Sequence, residues 1–583
     1  MLILGINAGY HESSACLIRD GDVVAAVEEE RFNRVKHGKV ARIDTAGELP
    51  WRSIEHCLSQ GGARLGDVAH IGYSFDRQVR LEKTVRHQHG YPLRQGSYGT
   101  AEGEARFHEA LLGVEPALRG RGFAGRFHQL RHHDCHAASC FLVSPFETAG
   151  VLVVDGIAEF ESTSLYAGRG NRLERLRDVD FPNSIGLVWE KLCRFLGFDE
   201  HDACKVMGLA SYGDPERFAA ELARVMGQGR DPDVADDLVM LRSDDFSGLE
   251  RLFGLPRRHQ PLGEVCALGS TAAKYVDIAA ALQHATERIL LSLAEELADH
   301  GFRRLCMAGG VALNCVANGR IIRSGLFDEI FIQPAAHDAG TALGAAFLLW
   351  NQVLGNPRSY VFESAYLGPE YDGAEIEAAL QARGLAYSSG EDATAWAADA
   401  LARGEIVGWF DGRMELGPRA LGHRSLLADP RRPEVREQLN VKVKHRELFR
   451  PFCPSVLEER AHDWFDLGAG IPNPARYMLA AFDVLPDQRE KIPAVVHVDG
   501  TCRVQVVDRR TAPRYHRLLQ EFERRTDVPV LLNTSFNDSE PIVCTPNDAV
   551  ETFLKTRIDH VVLGDFMVSR TAAAAQPARR FAR

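Results

Sequence analysis

The sequence predicts an α/β protein of more than one domain. Three observations carry this expectation. The chain has 583 residues, too many for one ordinary core, and 45% of them are apolar. Apolar strands run repeatedly through glycine turns into helices. A strand-turn-strand pattern also occurs twice.

The first copy of that pattern opens the chain. "LILGIN" reads as a strand, "AGYHES" as a polar turn, and "SACLIRDGDVVAAVEEE" as two strands around Asp20-Gly21, a hairpin signal. The second copy is "GVLVVD", ending at Asp155, then "GIAEFE", then "STSLYAGRGNRLERLRD" around Gly168 to Gly170. From Asn7 to the Asp20 turn is 13 residues, and from Asp155 to Arg169 is 14. Pattern without identity at matched spacing indicates a duplicated unit.

Helices follow, notably "TAAKYVDIAAALQHATERILLSLAEELADHG", with Gly301 as the expected stop. "FRRLCMAGGVALNCVANGRI" passes from a strand through Gly309-Gly310 into a helix. "IFIQPAAHDAGTALGAAFLLW" repeats the move through Asp338 and Gly340. Such turns bring backbone N–H groups to a phosphate, and tight packing explains the glycines equally well. Composition divides the chain into a first domain over 1–355, a Gly-, Pro- and Tyr-rich linker over 356–390 and a second domain over 391–583. The last thirteen residues, "TAAAAQPARRFAR", read as a frayed tail.

The net charge of −12 argues against a surface that coats nucleic acid, and leaves room for a local basic pocket. Twelve cysteines without a CxxC pair indicate reduced thiols rather than a disulfide frame or zinc ribbon. No basic leader and no apolar run near the roughly 20 residues of a membrane span is present, so a cytoplasmic protein without membrane contact is expected.

The candidate chemistry lies in three places. "HHDCHAASC" packs three histidines and two cysteines into nine residues. His132 and His136, four apart, share one face of a helix. With Asp155 at a strand end and Asp338 in a glycine turn they make a mixed N/O set suited to Fe(II), Mn(II) or Zn(II). A chance helix face gives the same His spacing, and Cys135 and Cys140 serve as small core filling or as further ligands. His11, in the first polar turn, has the intrinsic pKa of a base for an alcohol. The basic segment 411–450 has ten Lys/Arg against six Asp/Glu. Arg419, Arg424, Lys444 and Arg450, broken by Gly417-Pro418, Gly422 and Pro451, suggest a shaped pocket for a small anion. Arg503 and the hydrogen-bonding run Asn533, Thr534, Ser535, Asn537 follow.

Eight motifs in order, "GINAGYHESSACL", "HHDCHAAS", "KVMGLASYG", "GGVALNCVANG", "HDAGTALGAA", "GRMELGPRALGHRSLLADPR", "VKHRELFRPFCPSV" and "PVLLNTSFN", span residues 5 to 537. Together they resemble the carbamoyltransferase family of nodulation protein U and the O-carbamoyltransferases of cephamycin, novobiocin and tobramycin biosynthesis. The resemblance implies a duplicated actin-like ATPase (ASKHA) domain followed by a YrdC-like α/β domain. It implies that the second domain makes carbamoyl adenylate from carbamoyl phosphate and ATP, and that the first transfers the carbamoyl group to a hydroxyl of a small-molecule natural product. Carried over by position, His132, His136 and Asp338 would hold a metal, expected to be Fe(II) with Mn, Zn or Mg as alternatives, with Asp155 beside it, and His11 would be the base. Gly309, Gly310 and Gly340 would cradle the nucleotide, with Lys205 and Asn314 nearby. Arg419, Lys444, Arg450, Arg503 and Ser535 would hold carbamoyl phosphate.

Three positions depart from the family's usual glycines: Ala158, Ser539 and Asp527. Two other functions share these folds. A tRNA threonylcarbamoyl-modifying enzyme needs a surface for anionic RNA, which the net charge opposes. A nucleotide-binding regulator without turnover has no need of His11, His132, His136 and the basic cluster together.

Overall fold

The computed structural model describes residues 1–84, 86–262, 271–390 and 392–570. The tail at 571–583 lies outside the described residues. The chain forms two compact units, Met1–Glu363 with Pro472–Pro474, and the remainder from Ser364.

The first unit holds two five-stranded sheets of one plan. In the first, β1 (Leu2–Asn7), β2 (Ser14–Arg19), β3 (Asp22–Glu28), β4 (His70–Tyr73) and β5 (Arg126–Gln129) lie in the order β3-β2-β1-β4-β5. In the second, β6 (Thr148–Val154), β7 (Glu161–Arg169), β8 (Arg172–Asp180), β9 (Arg304–Ala308) and β10 (Glu329–Phe331) lie in the order β10-β9-β6-β7-β8. Each copy is an antiparallel ribbon of three strands whose first strand is extended by two parallel ones. The duplicated unit expected from sequence is therefore present in strand order and direction.

Local chemistry explains the ribbons. Asp20 (φ +52°) and Gly21 (φ +93°) make the turn between β2 and β3 in the left-handed region that two-residue hairpins favour. The second hairpin turns one residue later than the glycines indicated. Gly168 and Arg169 are still in β7, and Gly170 (φ +55°) with Asn171 makes the turn. β7 is buried almost throughout, whereas β8 alternates toward water, as an edge strand does.

Four helices matter for the site: α1 (His132–Phe141), α2 (Thr271–Asp299), α3 (Cys315–Arg323) and α4 (Thr341–Phe347). Gly301, at φ +88°, stops α2 where the sequence placed the stop. α4 packs on both β1 and α1. The contacts are backbone to backbone: a Cβ at Gly5 would meet the Ala342 carbonyl at 1.8 Å, and one at Gly344 would meet the Cys135 carbonyl at 1.8 Å.

The second unit carries β11 (Val407–Phe410), β12 (Arg424–Ala428), β13 (Cys453–Leu457), β14 (Ala481–Asp483), β15 (Thr501–Arg503), β16 (Gln505–Val507), β17 (Val530–Ser535), β18 (His560–Leu563) and β19 (Phe566–Ser569). Seven of them form one mixed sheet, β16-β13-β17-β12-β11-β18-β19, and β14 pairs with β15. Part of the segment read as a linker is structured. It contains α5 (Gly373–Ala382), begun by a reciprocal capping box between Asp372 and Glu375. At Asp527, where the family expects glycine, φ is +58°, a conformation that Asp tolerates better than most side chains.

The Gly344→Ala substitution tests the close packing of α1 against α4. It is expected to cost about 1–3 kcal/mol, read as a lower unfolding temperature of the first unit by calorimetry, and an unchanged transition would refute the contact.

Candidate active site

α1 presents His132 and His136 on one face, their ring centroids 4.7 Å apart. Asp155 follows the last residue of β6. Asp338 opens the short 3-10 turn Asp338–Gly340 that leads into α4. The fold thus brings all four predicted metal ligands together, with one ligand atom from each within 4.8 Å of the others. Nε2 of His132 lies 3.4 Å from Asp338 Oδ1 and 3.7 Å from Asp155 Oδ2, and Nε2 of His136 lies 3.5 and 3.8 Å from the same atoms. These separations are long for hydrogen bonds. They lie at or a few tenths of an ångström above the about 3.0–3.4 Å that separates atoms about 2.1 Å from a common centre at octahedral to tetrahedral angles, so a small contraction would seat all four on one ion.

The donor set fits a divalent cation on a second count. His132 donates Nδ1–H to the Ser74 carbonyl (2.9 Å), which leaves the Nε2 lone pair facing the carboxylates. That Nε2 and both ring nitrogens of His136 are buried without a hydrogen-bond partner. Two buried carboxylates and two buried acceptor nitrogens are what a cation would satisfy. Cys135 and Cys140 stay outside the cluster as buried core, and His133 turns away to Ser164 Oγ (2.7 Å).

Burial opposes charge on His132, but the Asp338 and Asp155 carboxylates outweigh it and hold its pKa well above the usual imidazole value. Burial lowers that of His136. Asp338 is held well below the usual carboxylate range against its own burial, chiefly by His132.

Glycines shape the neighbourhood. Gly309 (φ +94°) approaches the Val154 carbonyl so closely that a Cβ would stand 2.1 Å from it, and the Gly310 N–H donates to Asp155 Oδ1 (2.8 Å). Gly340 has no room for a side chain beside the Ala335 carbonyl (2.0 Å). The Gly309-Gly310 turn therefore lies directly on a candidate ligand. Asn314 caps α3 through the Ala317 N–H (3.1 Å) and exchanges two hydrogen bonds with Gln283. Lys205 pairs with Asp202 (2.7 Å).

His11 sits in the turn between β1 and β2, with its Nδ1 buried and without a hydrogen-bond partner. Two histidines that sequence reasoning did not single out surround it: His201 at 5.2 Å and His37 at 6.1 Å between ring centroids. Burial, reinforced by His11 and His37, pushes His201 down to about 4, whereas the bond to Glu12 raises His37 against its burial. Glu159 was also missed. Helix α1 has no side-chain cap from Arg131, and Glu159 Oε1 supplies one by accepting from the His132 N–H (2.9 Å) and the Asp76 N–H (2.8 Å). Burial pushes the Glu159 carboxyl up to about 7. Glu159, one of two acids in "GIAEFE", carries no spacing signal that would have found it.

In the second unit, Lys444 is buried and donates to Ser535 Oγ (3.2 Å), to the Ser535 carbonyl and to Asn537 Oδ1 (2.6 Å). Burial, with Arg446 and Arg450 nearby, holds its pKa well below the usual lysine value. Arg503 directs Nε and Nη2 at Cys453 Sγ (3.1 and 3.0 Å), and Cys453 opposes Asn533, two residues before Ser535 on β17. Arg419 lies on the loop joining β11 to β12. Arg424, also read as an anion ligand, is occupied otherwise. Fully buried over the Phe410 ring, it gives its two amino groups to the carbonyls of Asp411, His423, Pro369 and Gly412. Glu415 Oε1 organises that loop by accepting from the N–H groups of Leu421, His423 and Arg424.

Two outcomes follow for the first unit. Asp338→Asn is expected to weaken Mn(II) or Zn(II) binding by more than the roughly 10–100-fold that outer-shell changes cost, as read by titration calorimetry; wild-type affinity would exclude Asp338 as a ligand. In the metal-free chain the raised His132 pKa contributes stability below the unfolded value of about 6.5, and that stability is lost as pH rises through the folded value. An entering cation displaces this proton, so affinity should rise with pH by about tenfold per unit in that window, with one proton released. A pH-independent affinity would contradict this.

Comparison with known proteins gives the family. The pattern of the carbamoyltransferase N-terminus matches residues 2–347 and that of the carbamoyltransferase C-terminus residues 398–570. An uncharacterized protein of Synechocystis sp. is 39% identical, over 99% of this chain and 97% of that protein. Nodulation protein NolNO of Sinorhizobium fredii is 36% identical over 99% and 81%, and nodulation protein U of the same organism is 29% identical over 92% and 94%. Solved structures overlap only loosely: component A of the Acidaminococcus fermentans (R)-2-hydroxyglutaryl-CoA dehydratase has a TM-score of 0.32 at 17% identity, over 60% of this chain and 96% of that one, and no role is carried over from it. With both family patterns matched in order and relatives similar over almost its whole length, the chain belongs to the carbamoyltransferase family and is a carbamoyltransferase.

Proposed function

We propose that the chain is an ATP-dependent O-carbamoyltransferase. The second unit, read as YrdC-like, makes carbamoyl adenylate, and the first transfers its carbamoyl group to a hydroxyl of a small-molecule natural product. The observation that carries this reading is that each unit has its own preorganised site: the four-ligand cluster in one and the buried Lys444–Ser535–Asn537 group in the other.

The bonds balance as follows. Hydrolysis of carbamoyl phosphate leaves carbamate and phosphate. A carbamate oxygen then attacks the α-phosphorus of ATP and expels pyrophosphate. The acceptor hydroxyl attacks the carbamoyl carbon, and the bond to the adenylate oxygen breaks to release AMP. Lys444, Arg450, Arg503, Arg419 and Ser535 hold the anions of the first steps. An ammonium whose charge burial disfavours is stabilised as a phosphate arrives, so charge complementarity is concentrated on the bound state. In the transfer step His11 takes the hydroxyl proton. The Gly309-Gly310 and Gly340 turns, which carry no side chains, let the nucleotide approach the backbone closely, with Asn314 and Lys205 nearby. A divalent cation on His132, His136, Asp155 and Asp338 supplies charge neutralisation for the adenylate phosphate.

Anaerobic incubation of the full chain with Fe(II) or Mn(II), ATP and carbamoyl phosphate, without acceptor, is expected to yield pyrophosphate and a mass matching carbamoyl-AMP. Both should depend on carbamoyl phosphate and disappear in Lys444→Ala. Absence of carbamoyl phosphate-dependent pyrophosphate with either metal would overturn the proposal.

A further inference from the structure

The duplicated sheets put Asn7 and Asp155 at equivalent places. Asn7 closes β1 opposite Ser14, and Asp155, directly after β6, donates its N–H to the carbonyl of Ser162 (2.9 Å), seven residues on in both copies. In the second copy the side chain accepts from the end of the neighbouring parallel strand: Asp155 Oδ1 from Gly310 N–H (2.8 Å). In the first copy Asn7 Oδ1 accepts from Ser74 Oγ (2.9 Å), just beyond β4. Where one copy directs a carboxylate to the metal cluster, the other has an amide.

That amide is fully used. Its two N–H groups go to the carbonyls of His11 (3.1 Å) and Glu12 (3.0 Å), and its oxygen is taken by Ser74. Ser74 continues the chain: its carbonyl accepts Nδ1–H of His132 (2.9 Å), and its hydroxyl lies 3.0 Å from Thr341 Oγ1, which stands 2.7 Å from the Asp338 carbonyl. Asn7, Ser74, Thr341 and His132 are each at most 1% exposed, so no water shares these bonds from outside. The turn is held from its other side as well. Glu12 donates its N–H to the His37 carbonyl (2.7 Å) and its carboxylate bonds His37 Nδ1 (2.5 Å), with both residues at positive φ, +52° and +64°. Two adjacent-in-space side-chain residues in that region persist only where the surroundings over-determine them.

We infer that Asn7 and Ser74 are positioning residues that tie the His11-bearing turn to the His132/Asp338 cluster, so that ordering the cluster with a divalent cation orders residues 8–13. The catalytic meaning of the coupling rests on the reading of His11 as the base; the coupling itself does not. It requires the amide's polarity, because Asn7→Asp keeps the shape of the side chain but sets an acceptor against the two carbonyls.

The test uses the full chain and Mn(II) alone. Hydrogen–deuterium exchange of the peptide covering residues 8–13 is expected to slow by about fivefold or more on Mn(II) loading of the wild type. In Asn7→Asp and in Ser74→Ala, compared with wild type at Mn(II) concentrations that calorimetry shows to saturate each protein, the slowing should disappear. A residue that merely supports the fold would raise exchange equally with and without Mn(II). Exchange at 8–13 that ignores Mn(II) in the wild type, or that slows in the variants as it does in the wild type, would overturn the inference. Should Asn7→Asp fail to fold, Ser74→Ala, which removes one hydroxyl, decides alone. A wild type that forms no carbamoyl adenylate would sink the proposed function and leave the exchange result standing.

Discussion

Two carboxylates buried side by side govern the first unit. Asp155 and Asp338 approach one another within a shared, water-poor space, where like charges repel strongly and each has lost its hydration. Such a pair persists only if positive charge and hydrogen-bond donors are fixed around it. The surrounding structure meets that demand. His132, whose pKa the carboxylates raise, faces both of them, the Gly310 N–H bonds Asp155, and the α1 N-terminus that carries the histidines is itself held by Glu159. The same demand makes the place hospitable to a divalent cation, which these four side chains could hold together.

That cage is built by chain segments far apart in sequence, and its precision comes from backbone contact rather than from large side chains. Gly344 lets α4 touch α1, and Gly5 lets α4 touch β1, so the turn with Asp338, the helix with His132 and His136 and the first strand move as one packed group. Ser14 adds a hydrogen bond to the Ala339 carbonyl (2.8 Å). The duplication then diverges in use: one copy contributes Asp155 to the cluster, and the other contributes Asn7 to the loop beside it.

In the second unit the segment 411–450 poses the opposite problem, with ten Lys/Arg against six Asp/Glu. Among the described residues Arg424 makes no ion pair within 4 Å; carbonyls and the Phe410 face accommodate it, and it thereby fixes the loop that carries Arg419. Lys444 instead faces a serine hydroxyl and an amide oxygen, and burial with two neighbouring arginines strains its charge. Two buried cations from one basic run thus differ in kind. One is a structural staple, and the other is an amine whose charge burial disfavours and an arriving anion would stabilise.

The sequence by itself determined what short-range chemistry controls. The Asp20-Gly21 hairpin, the Gly301 stop, the His132/His136 helix face and the repeated strand-turn-strand plan all depend on residues a few positions apart, and each appears as read. The four candidate ligands that the fold brings together were legible too, because strand ends and glycine turns announce themselves locally. Only the tertiary structure decided what depends on distant partners. It made part of a Pro- and Gly-rich stretch into a capped helix of the second unit, assigned Arg424 to carbonyls, and set Glu159, His37 and His201 beside the site. Above all it joined Asn7 to Ser74 and Ser74 to His132. No spacing marks such a chain of hydrogen bonds, because its members acquire their roles only when parallel strands from separate parts of the sequence end side by side.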